Sequence, residues 1–183
     1  MLPRVFEPWE HPARLRVLDL GGGEASTLDF LSQYDLKIFF ADLLNNPPGW
    51  QAEEELSEQQ IQERLINELD LQAGGQFDVI LFWDYLHYLD TSALKALSSI
   101  LYRHVHTQTR GYALGAMRST SQIEKYHYAI ADAQSLKVRP ITNTAQYYAH
   151  SQQSLTDYFT ALSISRATLL RNGRLELMFT AGW

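Results

Sequence analysis

The sequence predicts a single α/β domain spanning 1–183, built on a mostly parallel sheet and closed at its C-terminal end by an antiparallel hairpin. Three stretches carry that reading. Residues 16–27 (RVLDLGGGEAST) run from an apolar strand pattern through Gly21, Gly22 and Gly23 into a helix pattern. Residues 77–84 (FDVILFWD) form a second buried-strand pattern, announced by Gly74 and Gly75. Near the end, Asn172-Gly173 joins 164–170 to 174–181, and Asn-Gly between alternating segments is the strongest short hairpin signal.

The first stretch is half of a βαβ unit. Val17, Leu18 and Leu20 surround Asp19, and Ser26 and Thr27 offer cap-type hydroxyls ahead of Leu28, Phe30, Leu31 and Tyr34, so a short helix starts where the glycines end. Glycines suit such a bend because they take φ > 0 and let a ligand approach the main chain closely. The dinucleotide fingerprint G-x-G-x-x-G, started at Gly21, needs Gly or Ala at position 26, and Ser26 stands there, which disfavours a nicotinamide oxidoreductase. The stretch resembles motif I of the class I S-adenosylmethionine-dependent methyltransferases: an apolar strand, an acid, one residue, then G-x-G-x-G. Asp19, Gly21 and Gly23 match it, and Ala25 stands at the third glycine. The resemblance implies a Rossmann-like fold with S-adenosylmethionine as cofactor. Asp19 would help hold the turn and the cofactor's cationic methionine end, and Gly21, Gly22 and Gly23 would admit it along the backbone.

Taken in order, residues 1–14 carry Pro3, Pro8 and Pro12, which disfavour helix and predict an extended arm with Phe6 and Trp9 as anchors. The resembled family places helices there, so the site is expected to be open unless a later segment, a second copy or a partner protein covers it. Residues 37–44 (KIFFADLL) read as the second strand. Asp42 lies 23 residues beyond Asp19, where doubly wound sheets place an acid that accepts hydrogen bonds from ribose hydroxyls, and Leu43 follows it beside the same ligand. The alternative is that Asp42 merely opens the loop before Pro47 and Pro48.

Ser57 and Gln60 form a capping box with Leu56 and Ile61 as a staple, and Ile61, Leu65 and Leu69 make one apolar stripe. The glutamates around them read as a solvated face. A third strand would have to fit into 69–71. Residues 77–90 then resemble motif IV of the same family, where a strand runs into a polar, aromatic loop beside the transferred methyl group. By that resemblance Trp83 packs near the cofactor, and Asp84, Tyr85 and His87 are the catalytic candidates. Asp84 or His87 would orient the acceptor or take its proton, the other reading of His87 being a structural hydrogen-bonder.

Asp90 or Thr91 caps a helix with Leu94, Leu97 and Leu101 inside. His104 and His106 are two potential ligands without a completing set, so no metal site is assigned. Residues 111–118 supply the fifth-strand position. Residues 119–150 are an aromatic insertion, with Tyr126, Tyr128 and Ile130 alternating against Leu136 and Val138 around a turn at 132–135, either a lid over substrate or an ordinary side sheet. Residues 151–162 form a helix with Leu155, Tyr158, Phe159 and Leu162 on one face. A terminal antiparallel hairpin is a feature of the resembled family that the usual dinucleotide fold lacks.

Composition narrows the function further. The net charge is −6 with Lys and Arg scattered singly, which argues against a nucleic-acid phosphate track. With no cysteine there is no disulfide, thiol nucleophile or thiolate metal site. No apolar run approaches the length of a signal or membrane span, so a soluble cytoplasmic protein is expected. The expected activity is methyl transfer to a small-molecule nucleophile; the alternative is a catalytically degenerate methyltransferase fold kept as a binding or scaffolding module. If Asp42 grips the ribose, Asp42→Ala weakens S-adenosylmethionine binding about tenfold or more by calorimetry, as loss of a charge-assisted bond of about 1.5–3 kcal/mol requires. Unchanged binding removes that assignment.

Overall fold

The structure is a computed structural model, and it describes residues 1–7, 14–41, 56–69, 71, 75–117, 124–141 and 146–181. Asp42, Leu43 and Trp9 lie outside these residues. The elements in order are α1 (Leu2–Val5), β1 (Leu15–Asp19), α2 (Ala25–Leu31), β2 (Leu36–Phe40), α3 (Glu58–Glu68), β3 (Val79–Trp83), a 3-10 turn (Tyr85–Tyr88), α4 (Thr91–Leu101), β4 (Arg110–Ala116), β5 (Tyr126–Asp132), β6 (Ser135–Pro140), α5 (Gln152–Tyr158), β7 (Ser163–Leu169) and β8 (Arg174–Thr180).

Six strands pair in the order β2-β1-β3-β4-β8-β7. The first four are parallel, and β8 runs antiparallel to both β4 and β7, so the Asn172-Gly173 hairpin closes the sheet as expected. No strand forms at 69–71 among the described residues; Leu69 and Leu71 are spent as buried core side chains below α3.

Alternation along the strands divides the core. Leu18, Ile80, Phe82, Ala113 and Leu177 pack under α3, α4 and α5. Val17, Val79, Leu81, Trp83, Tyr112 and Leu114 face the other way, under α1, α2 and the β5–β6 hairpin. This is the period-two division expected of strands buried on both faces.

Local signals were largely sound. Ser57 and Gln60 close the capping box, and Asp90 rather than Thr91 caps α4 through the Ala93 amide at 2.8 Å. Two expectations are corrected. The chain start is not an extended arm: Leu2–Val5 form a helical turn, because proline in the first turn gives up only an amide that has no partner there. Ser26 and Thr27 do not cap α2, which begins at Ala25 with Glu24 as N-cap and no side-chain cap bond.

Thr27 is instead a fastener. Its hydroxyl oxygen accepts the Ile130 amide at 3.0 Å, fixing the inserted hairpin onto α2 in a buried contact. Replacing Thr27 by isosteric Val orphans that amide. Urea unfolding is expected to show a loss of about 1–3 kcal/mol, with earlier proteolytic cutting within 126–140.

Candidate active site

The glycine bend is defined by its main chain. Gly22 and Gly23 sit at φ +84° and +72°, and Asp19 turns its carboxylate back so that Oδ1 accepts the Gly21 amide at 2.8 Å. Asp19 is buried, and burial raises its carboxyl above the ordinary range while the Trp83 and Gly21 hydrogen bonds oppose that rise.

Trp83 supplies the second bond. Its indole Nε1–H donates to Asp19 Oδ1 at 2.7 Å, joining the tips of β1 and β3. The ring lies so close over the bend that a methyl group on Gly21 would stand 2.4 Å from Nε1. On its other sides it stacks on Tyr128, centroids 6.0 Å apart at 7°, and meets Tyr112 edge-on at 5.9 Å. Trp83 is wholly buried and has φ +52°, and β3 slips register between Leu81 and Trp83. Such a backbone costs about 1–3 kcal/mol in a non-glycine residue and persists only where surrounding contacts impose it. Here the indole–carboxylate bond and the tyrosine stack impose it.

Beside it, Asp84 forms a buried ion pair that the sequence did not announce. Arg174, from the start of β8, donates from Nη1 to Asp84 Oδ2 at 3.2 Å and from Nη2 to the Glu124 carbonyl. Its guanidinium lies 5.6 Å from the Tyr126 ring and 5.4 Å from the Tyr128 ring. Asp84 Oδ1 has no hydrogen-bond partner and is buried, as are the hydroxyls of Tyr128 and Tyr147. Tyr128 is close enough to Asp84 to favour the charged form without bonding in good geometry, and burial with Asp84 nearby pushes both tyrosines above their ordinary range. Burial pushes the Asp84 carboxyl up to about 6 even with the Arg174 guanidinium opposing it.

The other candidates diverge. Tyr85 is wholly buried in the core that α3 and α4 cover, with Glu68 as its charged neighbour. His87 Nδ1 lies 3.0 Å from the His150 amide and 3.2 Å from the Tyr148 carbonyl, and the imidazole stacks on Tyr147 and His150. Burial, then His150, holds it down at about 3, so it is neutral near pH 7. His104 bonds the Gly75 carbonyl and His106 the Asp78 carboxylate, and no metal-ligand group occurs among the described residues.

Arg174 could not be found from sequence because Arg174 and Glu176 alternate with Leu175 and Leu177, a pattern that reads as a solvent face. Both polar residues instead face the covered side: Glu176 takes the Tyr112 hydroxyl and the Met1 amine, each at 3.0 Å. A cavity of about 440 Å³ lies there, lined by Leu2, Tyr112, Tyr128, Leu136, Arg174 and Glu176 among others.

The arrangement is that of a Rossmann-like α/β protein with its candidate site residues at the carboxyl ends of the central strands, where open α/β sheets bind ligands. A family model described as a methyltransferase domain matches residues 2–166, and the chain belongs to that family. Among known structures, a Clostridium acetobutylicum S-adenosylmethionine-dependent methyltransferase superposes with a TM-score of 0.56 at 15% identity, over 93% of this chain and 85% of that one. The pyocyanin biosynthetic protein PhzM gives 0.53 at 12% identity over 99% of this chain, which spans only 53% of PhzM. The Burkholderia thailandensis 1,6-didemethyltoxoflavin-N1-methyltransferase, with bound 1,6-didemethyltoxoflavin and S-adenosylhomocysteine, gives 0.50 at 14% identity, over 98% and 76%. These likenesses establish the fold. No curated protein matches the sequence.

The family's cofactor meets a mixed fit here. The buried Asp19 carboxylate suits a cationic ligand, and the glycines allow a close approach to the main chain. The space does not: Trp83 fills the position over Gly21, and the Phe40 ring would stand 2.9 Å from a methyl group on Gly23.

Asp84 gives a pH signature. Its folded-state pKa lies above its unfolded value, so its stabilisation is full below about pH 4 and is lost as pH rises through about 6. His87, held low, acts oppositely on acidification, so the parent must be compared with Asp84→Asn. Between pH 6 and pH 4 the variant is expected to fall behind the parent by about 2 kcal/mol in urea melts. A constant difference across that window would mean Asp84 titrates normally.

Proposed function

We propose that this protein is an enzyme that transfers a methyl group from S-adenosylmethionine to a small-molecule nucleophile. One observation carries the reading: Asp19 with its glycine bend and Asp84 with its unpartnered Oδ1 emerge side by side at the carboxyl ends of the paired strands β1 and β3. The family membership supports it, as does the toxoflavin-type substrate bound to the Burkholderia relative. S-adenosylmethionine brings a methyl group that is already activated, so the chain's task is to position the acceptor and, where needed, to take its proton.

Asp84 is the residue for that proton. A carboxyl near 6 is largely ionised at neutral pH yet basic enough to accept one. Arg174 keeps it from rising further, and the Tyr128 and Tyr147 hydroxyls offer donors for a polar atom of the acceptor. Asp19, Gly21, Gly22, Gly23, Asp42 and Leu43 are proposed to frame the cofactor, with Trp83 adjoining its site; Tyr85 and His87 support the loop that carries Asp84, His87 by its contact with the His150 backbone.

A second reading, a methyltransferase fold kept as a binding or scaffolding module, is supported by the closed bend, where Trp83 and Phe40 fill the space over the glycines. A thermal melt separates the two. S-adenosylmethionine at 100 times its Kd is expected to add about 2.7 kcal/mol and raise the melting point; no shift with it or with S-adenosylhomocysteine favours the scaffold. Once an acceptor is identified, Asp84→Asn is expected to lower kcat by about 10²–10⁴-fold for an acceptor that must lose a proton. An unchanged kcat removes Asp84 from that role.

A further inference from the structure

We propose that Trp83 is this chain's own competitor for its cofactor: in the resting protein its indole holds the Asp19–Gly21 position, and S-adenosylmethionine binds by displacing it. The proposal rests on the methyl-transfer reading and adds a control on cofactor affinity to it.

The chemistry of the contact is the starting point. Asp19 is a buried carboxylate at a glycine bend, and its Oδ1 receives the bend's own amide and one further donor, the indole N–H at 2.7 Å. The cofactor carries an ammonium group and a sulfonium centre, so it offers that oxygen a charged partner in place of a neutral one. The indole N–H is a stand-in that a cation outcompetes.

The geometry leaves no room for both. With a methyl group on Gly21 only 2.4 Å from Nε1, nothing larger than hydrogen fits between bend and ring. Gly21 in this state serves the tryptophan, and any ligand lying along the bend must first move the ring.

The strand is built so that the ring can move. Trp83 is the one non-glycine residue with positive φ among the described residues, and it sits at the register slip that ends β3, so its backbone relaxes when the indole leaves. A destination adjoins it. Tyr112 and Tyr128, which touch the indole, also line the cavity of about 440 Å³ beneath the hairpin. The indole itself does not line that cavity; the two tyrosine rings do, and displacement carries the indole past them.

The test is calorimetric titration of S-adenosylhomocysteine into the full chain and into Trp83→Phe and Trp83→Leu, each checked for folding by circular dichroism. Phenylalanine keeps the ring and removes the N–H, and leucine also removes bulk. The expected result is binding at least tenfold tighter in Trp83→Phe than in the parent, and no weaker in Trp83→Leu than in Trp83→Phe. Parent binding that is matched or weakened in Trp83→Phe overturns the proposal and leaves the methyl-transfer reading standing. Absence of binding in the parent and in both folded variants overturns both. Should either variant fail to fold, a chain with Trp9, Trp50 and Trp183 replaced by Phe reports on Trp83 alone. A red shift of its emission on saturation with S-adenosylhomocysteine supports displacement, and unchanged emission overturns it.

Discussion

One oxygen atom, Asp19 Oδ1, holds the centre of this molecule together. It accepts the Gly21 amide and the Trp83 indole, and so ties the tip of β1 to its own bend and to the tip of β3. A buried carboxylate with neutral donors is expensive unless each donor is well placed. The chain meets that demand by forcing Trp83 into a backbone conformation it would not otherwise adopt. The rest of that face follows: Tyr128 stacks on the indole, Tyr112 meets its edge, and the inserted hairpin is fixed where Thr27 can accept the Ile130 amide.

The Asp84–Arg174 pair extends this arrangement to the far end of the chain. Ninety residues separate the partners, and they meet because β8 inserts antiparallel beside β4 with Arg174 opposite Ala116. An ion pair this buried recovers its desolvation cost only in part, so it is weak evidence for stability. Its consequence is chemical. One carboxylate oxygen is held by the guanidinium, the other has no partner, and the carboxyl titrates close to neutrality.

The same hairpin serves both features. Tyr128 touches the indole on one side and the Arg174 guanidinium on the other, so β5 is part of the wall between the glycine bend and the cavity beneath it. The insertion covers the face that the short chain start was expected to leave open. Tyr128 thereby links the indole, the Arg174 guanidinium and the Asp84 carboxyl.

Local chemistry determined much of this protein. Glycines at 21–23, the Ser57–Gln60 capping box, the buried run at 79–83 and Asn172-Gly173 each act through neighbours within a few residues, so strands, bend, helices and terminal hairpin were legible in order. The family was legible for the same reason, since its motif lies in one short stretch. What the tertiary structure alone decided is where polar side chains point across long separations. Arg174 and Glu176 look like a solvent face until Asp84, Tyr112 and the Met1 amine meet them, Thr27 looks like a cap until Ile130 arrives, and Trp83 looks like a ligand's neighbour until its indole bonds Asp19. Periodicity records which side of a strand a residue occupies; only packing between distant segments determines whether that side meets water, another side chain or a cofactor.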